Sequence, residues 1–320
     1  MRDVIRLLFY LAMGLPLLTS CRPPKSTCLC GRSTTMGVSR SRTPEIALKQ
    51  KWALARRHKR LGRYREALAG FLFVFDKSRQ HPSSIGTRLS FLLSEIAELG
   101  AVYPKALEEI RHRRNALEDL IRNGNAGREE VIELEALNEH LNEQTRSIRF
   151  YDTHIKNGTK CKHLSKMYIE INWQLFAVNG RHKELSPVIR RLAYSISSAL
   201  ARYKLLLDYR IDEMASEEND PRDKDKDTNG RTIAYFVNKG ILLYEVLLSD
   251  KRYKTSERLK AWLLRFKFDA ATYADLVRAA LKLGEFDLAK SLYGEASKWF
   301  HENELDTTKK AIEEFQKMNK

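Results

Sequence analysis

A cluster of basic residues between positions 49 and 65 is the first feature of this sequence with an obvious binding chemistry. Its members are Lys49, Lys51, Arg56, Arg57, Lys59, Arg60, Arg63 and Arg65. The stretch contains no acidic residue, and Trp52 adds an indole ring to it. Because a field of one sign attracts polyanions, the cluster predicts contact with an acidic peptide, a nucleic acid or an anionic membrane face.

No catalytic motif accompanies this cluster. The sequence has no glycine-rich phosphate loop, no Gly-x-Ser-x-Gly turn and no His-Glu-x-x-His helix. His154, Cys161 and His163 are metal-ligand types close together, but a fourth ligand is missing and Asn157-Gly158 predicts an exposed turn. We therefore predict a protein that is not an enzyme and binds no metal or cofactor.

The elements that position the basic cluster are predicted to be helices. Gly and Pro number only 15 and 8 in 320 residues, too few for the many turns of an all-β fold. Long stretches are rich in Leu, Ala, Glu, Arg and Lys, which favour helices. The formal net charge of +16 is concentrated towards the first 66 residues, where the only acids are Asp3, Glu45 and Glu66.

Two segments repeat one order of residue roles: a leucine, a glycine, an aromatic residue, an alanine and a second aromatic residue. The residues are Leu61, Gly62, Tyr64, Ala67 and Phe71 in one segment, and Leu283, Gly284, Phe286, Ala289 and Tyr293 in the other. Glycine supplies the left-handed backbone that ends a helix, and the small alanine lets two helices approach closely. Each segment therefore predicts a helix–turn–helix.

These segments resemble the tetratricopeptide repeat, a helix–turn–helix unit of about 34 residues. Leu276 and Ala296 extend the match, whereas Val277 stands where the family has a small residue. The resemblance implies an all-α, right-handed superhelix of stacked helix pairs, an α-solenoid whose concave side is lined by the first helix of each pair. On that basis the concave groove includes Lys49, Trp52, Arg56, Lys59, Arg60, Arg278 and Lys282, with Glu95, Glu98 and Glu245 partly offsetting the charge.

Looser copies of the pattern place helix pairs near 48–81, 87–122, 166–200, 235–268 and 270–303. Between them, residues 128–150 are predicted to form one polar helix in an inserted helical hairpin. Residues 217–231 are predicted to form a charged loop because they combine Asp220-Pro221 with Asn229-Gly230. Asp306 is expected to cap a final helix that ends near Met318.

Residues 1–21 have a charged start and a short apolar run, and they end in Leu18-Thr19-Ser20-Cys21, which is typical of a secretory signal. The last four residues resemble the lipobox of bacterial lipoproteins, which implies lipidation at Cys21 and a membrane-anchored protein facing the periplasm or the exterior. The alternative is that translation starts at Met36 and the protein is cytoplasmic. Residues 22–45 are predicted to be an irregular linker and residues 46–320 the helical-repeat domain.

The leading functional prediction is a protein–protein interaction scaffold that binds an acidic or extended peptide in the concave groove. Lysines and arginines would pair with the partner's acidic groups, and Trp52 would supply an apolar anchor. The alternative is a nucleic-acid-binding protein that uses the basic first repeat, with strongly salt-dependent affinity.

Overall fold

A computed structural model describes residues 43–81, 84–156, 162–198 and 226–318. These residues form helices and turns, with no strand among them, so the predicted all-α class is confirmed. The chain divides between Ile171 and Asn172 into two compact units, each with its own set of contacts.

The first unit contains seven helices in its described residues. They are α1 (Thr43–Arg60), α2 (Tyr64–Ser78), α3 (Ile85–Thr87, a π-helical turn at Arg88–Leu92, then Leu93–Gly100), α4 (Lys105–Arg122), α5 (Arg128–His140), α6 (Thr145–Phe150, continuing as π-helical Tyr151–Ile155) and α7 (Lys162–Ile171). Helix α3 packs against α2, α4 and α5, and α5 packs in turn against α4, α6 and α7. The later hairpins of this unit are therefore connected through their first helices, α3 to α5 and α5 to α7, whereas α2 connects the first hairpin to α3.

The second unit contains eight helices in its described residues. They are α8 (Trp173–Val178), α9 (His182–Leu185), α10 (189–198), α11 (Lys226–Ser249), α12 (Tyr253–Phe266), α13 (Ala270–Lys282), α14 (Phe286–Ala296) and α15 (Glu302–Met318). Helix α11 packs against α12 and α13, and α13 packs against α14 and α15. The same order of contacts as in the first unit therefore recurs here.

One turn geometry joins helices at four places: α1–α2, α8–α9, α11–α12 and α13–α14. A left-handed residue with φ between 56° and 74° ends the first helix, namely Gly62, Gly180, Lys251 and Gly284. The next residue has φ between −91° and −83° and ψ between 48° and 69°. Its N–H donates to the carbonyl five residues earlier at 2.9–3.0 Å, the hydrogen bond of a Schellman motif.

Small buried residues follow this turn and set how closely the two helices pack. Ala67, Ser256 and Ala289 stand five residues after the left-handed residue, and each is at most 1% exposed. Farther along α2, a methyl group added to Gly70 would lie 2.8 Å from the Ala55 Cβ, which is closer than packed carbon atoms approach. Residues without large side chains are thus required where α1 crosses α2.

The structure differs from the sequence-based prediction at several boundaries. Residues 128–150 form two helices rather than one, because Asn142 adopts a left-handed conformation (φ 56°) and ends α5. Helix α11 begins at Lys226, inside the predicted loop, and α1 begins at Thr43, inside the predicted linker. Asp306 lies within α15, not at its start, because the Glu304 side chain accepts a hydrogen bond from the His301 N–H at 3.0 Å and caps that end.

Candidate partner-binding surface

Three of the five predicted residues of α1 contact α3 through its glutamates. Trp52 Nε1 donates a hydrogen bond to Glu95 Oε2 at 3.0 Å, and Arg56 Nε donates to Glu95 Oε1 at 2.6 Å. Arg56 Nη2 also contacts Glu95 Oε1. One turn farther along both helices, Lys59 Nζ lies 2.9 Å from Glu98 Oε2. The glutamates that were expected to offset the charge therefore pair directly with it.

The Glu95 carboxylate accepts hydrogen bonds from an aromatic and a cationic side chain, Trp52 and Arg56. The Arg56 guanidinium stacks over the Trp52 ring with its carbon 4.5 Å from the ring centroid. This stacking holds the indole N–H and the guanidinium N–H groups so that both donate to one carboxylate. Arg56 remains 48% exposed, so solvent screens its ion pair and the pair contributes about 0–1 kcal/mol to stability.

The other two predicted residues of α1 are exposed. Lys49 lies near the start of the helix and Arg60 is its last residue. Arg60 makes no ion pair with the described residues. Arg60 therefore extends the basic face of α1 beyond the positions that Glu95 and Glu98 neutralise.

In the second unit, the two predicted residues of α13 are paired with acids. Arg278 contacts Asp275 on the same helix. Lys282 Nζ lies 2.7 Å from Glu245 Oε1, a buried carboxylate of α11, and His182 Nε2 lies 3.1 Å from the same oxygen. Glu245 therefore joins three helices of this unit, and the charge of Lys282 is largely balanced within it.

Sequence reasoning missed a buried ionic group beneath the basic face. Arg88 in α3 is 2% exposed, and its Nη1 donates to Glu133 Oε2 at 2.8 Å. Arg79 contacts the other oxygen of the same carboxylate. The available signal was Arg88 itself, a single basic residue on the apolar face that includes Leu92 and Ile96.

A second buried polar network lies around Ser147 in α6. Asn138 Nδ2 donates to Ser147 Oγ at 3.0 Å, Ser147 Oγ donates to Glu135 Oε2 at 2.9 Å, and the Tyr168 hydroxyl donates to the Ser147 carbonyl at 3.0 Å. Burial raises the pKa of Glu135 to about 7; nearby Glu139 acts in the same direction, and the Ser147 hydrogen bond opposes it. The Ser147 hydroxyl thus donates to the Glu135 carboxyl group, and Asn138 and Tyr168 hold Ser147 in place.

Several predicted sites fall outside the described residues. They are the lipidation site Cys21, the alternative start Met36, Cys28, Cys30, and Cys161 of the ligand-like group. Within the described ranges, no three His, Cys, Asp or Glu side chains are grouped as a metal ion requires. Among those same residues, no helix combines the length and apolar character needed to cross a membrane.

Comparison of the chain with protein-family models, with curated proteins and with solved structures gives no match.

Proposed function

We propose that this protein is a non-enzymatic interaction scaffold that binds an acidic, extended peptide on the basic face of α1. The face comprises Lys49, Trp52, Arg56, Lys59 and Arg60. The observation that carries the proposal is Glu95, because it is a carboxylate held by an indole N–H and a stacked guanidinium. A partner's carboxylate is the kind of group that these donors bind.

The helix pairs of each unit support a tetratricopeptide-like arrangement. The turn that follows α1 has the same backbone geometry as the turns that follow α8, α11 and α13. The first helix of one pair also packs against the first helix of the next, as α11 does against α13. Stacked pairs of this kind present their first helices side by side, which suits an extended ligand.

The exposed ion pairs leave this face available to a ligand. Glu98 is 63% exposed, so exchanging its carboxylate on Lys59 for an external one costs little free energy. Arg56 is 48% exposed while paired with Glu95, so a ligand carboxylate can contact it without displacing Glu95. Arg60 makes no ion pair with the described residues, so a ligand carboxylate can pair with it without displacing an internal carboxylate. The expected affinity is modest and falls as salt rises, because the Debye length is only about 10 Å at 0.1 M salt.

Charge reversal at Arg60 tests the proposal. The binding of fluorescein-labelled octaglutamate to the full chain is measured by fluorescence anisotropy at low salt. We expect Arg60→Glu to weaken binding about fivefold, since it replaces attraction by repulsion at an exposed position worth about 1 kcal/mol.

Arg190→Glu is the matched control, because Arg190 is also exposed on a helix and lies in the other unit. It changes the net charge equally and is expected to leave the affinity within twofold of wild type. Equal losses in both variants would show that octaglutamate responds only to net charge, and the α1 face would then have no special role.

Nucleic-acid binding is the second proposal, and the same basic face supports it. A labelled single-stranded oligonucleotide replaces octaglutamate in the titration, which is repeated across salt concentrations. Tighter binding of the oligonucleotide with a steep salt dependence supports this second function. Absence of oligonucleotide binding at low salt eliminates it.

We further propose that the mature protein is tethered through a lipid on Cys21; the alternative is a cytoplasmic protein that starts at Met36. The proposal is based on the signal-like sequence of residues 1–21. Intact-mass analysis of the native protein distinguishes the two. A chain that begins at Cys21 with added lipid mass supports the tether, and one that begins at Met36 refutes it.

A further inference from the structure

A pocket opens beside the basic face of α1, where α1 and α2 meet the start of α3. Its lining includes Lys49 and Trp52 of α1, Ser78 of α2, and Thr87, Arg88 and Leu92 of α3. Its volume is about 100 Å³. That is smaller than the ~150 Å³ that accommodates a benzene ring, so the pocket is too small for a nucleotide base to enter fully.

Arg88 gives this pocket a buried hydrogen-bond donor. The guanidinium stacks over the Phe75 ring at 4.9 Å, and Nη1 is bound to Glu133. The Nε atom is buried and has no hydrogen-bond acceptor among the described residues. A buried donor without an acceptor is unfavourable, and a ligand oxygen that reaches it recovers that free energy.

The charge around the pocket favours an anion. Two arginines, Arg79 and Arg88, share the single carboxylate of Glu133, which leaves one positive charge over. The surrounding side chains Leu48, Val74 and Leu92 are apolar, so part of the ligand must be apolar as well.

We infer that this pocket binds the side-chain carboxylate of an acidic residue in the partner peptide, with its methylene groups against the apolar wall and its oxygen on Arg88 Nε. The inference rests on the proposed function and deepens it, because Lys49 and Trp52 belong to both the basic face and the pocket. A glutamate side chain has the required combination of a short apolar stem and a terminal carboxylate. A free phosphate lacks the apolar stem.

The test is octaglutamate binding to the full chain with two pocket variants. Leu48→Trp places a bulky ring at a half-buried position of the pocket wall and leaves the buried charges untouched. Arg88→Lys keeps the charge opposite Glu133 but removes the Nε donor. We expect each variant to weaken binding about tenfold, as loss of one charge-assisted hydrogen bond does.

Leu54→Trp is the matched control, since Leu54 is 43% exposed on the same helix and lies outside the pocket lining. It is expected to bind within twofold of wild type. Folding is checked by circular dichroism, and if Arg88→Lys does not fold, Leu48→Trp decides the test.

The outcomes separate this inference from the proposed function. Unchanged affinity in Leu48→Trp, together with weaker binding by Arg60→Glu, overturns the pocket and leaves the basic face intact. Failure of wild type to bind octaglutamate at all overturns both.

A second arm tests which anion enters the pocket. An octapeptide with one glutamate is compared with the same peptide carrying phosphoserine at that position. We expect Leu48→Trp to weaken the glutamate peptide more than the phosphoserine peptide. A larger loss for phosphoserine would overturn the assignment to a carboxylate.

Discussion

At the scale of single residues, Glu135 couples the first unit to pH. The unfolded chain loses this proton near the ordinary glutamate pKa of 4.5, whereas the folded chain keeps it until about pH 7. The folded state therefore binds more protons than the unfolded state across that interval. Stability must fall as pH rises from about 4.5 to about 7 and remain lower above it.

Glu135→Gln is expected to remove this pH dependence while keeping an oxygen that accepts from Ser147. The variant should match wild type near pH 4 and exceed its unfolding free energy at pH 8. The difference approaches about 3 kcal/mol at most, from ~1.4 kcal/mol per pKa unit. Urea denaturation at both pH values measures it, with exposed Glu129→Gln on the same helix as the control. Identical pH profiles for wild type and Glu135→Gln would contradict the pKa argument.

At the scale of elements, the turn shared by four helix pairs allows a prediction about stability that depends on the backbone and not on neighbouring side chains. Gly62, Gly180 and Gly284 all have positive φ, and an added methyl group at any of them meets no atom within 4 Å. The cost of alanine at these positions therefore comes from backbone strain alone. We expect each alanine variant to lose about 1 kcal/mol of stability.

Gly294 is the matched control for these substitutions. It lies inside α14, has no positive φ and likewise has open space around it, so Gly294→Ala should gain roughly 0.5–1 kcal/mol from helix propensity. Thermal or urea unfolding of the four variants measures the contrast. If Gly284→Ala and Gly294→Ala shift stability in the same direction, the turn is not the source of the effect.

The ends of helices were predictable from the sequence where a single residue type determines the backbone conformation. Gly62 and Gly284 marked their turns, because glycine adopts the left-handed conformation without strain. Asn142 adopts the same conformation, but the apolar residues at helical spacing on both sides of it predicted one uninterrupted helix over 128–150. Asp306 has the side chain of a helix cap, yet Glu304 caps the end one turn earlier. Where two residues could each end or cap a helix, the packing around them decides which one does, and the sequence does not show that packing.

At the scale of the whole molecule, the sequence has 57 basic and 41 acidic residues, but this net charge does not give the local charge at the surface where a ligand would bind. Glu95, Glu98 and Glu245 stand next to the basic residues of the predicted groove and neutralise part of them. The acids lie about 40 positions from their partners on α1, so composition alone does not show the pairing. The sequence analysis expected these glutamates to offset the groove's charge, but it did not predict which side chains pair or the pocket at Arg88.

Removing these internal competitors is expected to strengthen binding. The double variant Glu95→Gln and Glu98→Gln removes the carboxylates that pair with Arg56 and Lys59, so octaglutamate should bind several-fold tighter, with a stability cost within about 2 kcal/mol for the two pairs. Glu313→Gln with Glu314→Gln on exposed positions of α15 raises the net charge equally and is the control. Equal gains in both double variants would assign the effect to net charge and not to the α1 face.

The turn between α1 and α2 has one further consequence. Its geometry depends on the left-handed backbone of Gly62, on buried Ala67 and on the contact of Gly70 with Ala55, and none of these involves the exposed side chains of Lys49 and Arg60. Substitutions at the exposed positions alter which partners the surface attracts and leave the hairpin as it is. The choice of partner and the stability of the hairpin thus depend on different residues, and substitutions can change the first without changing the second.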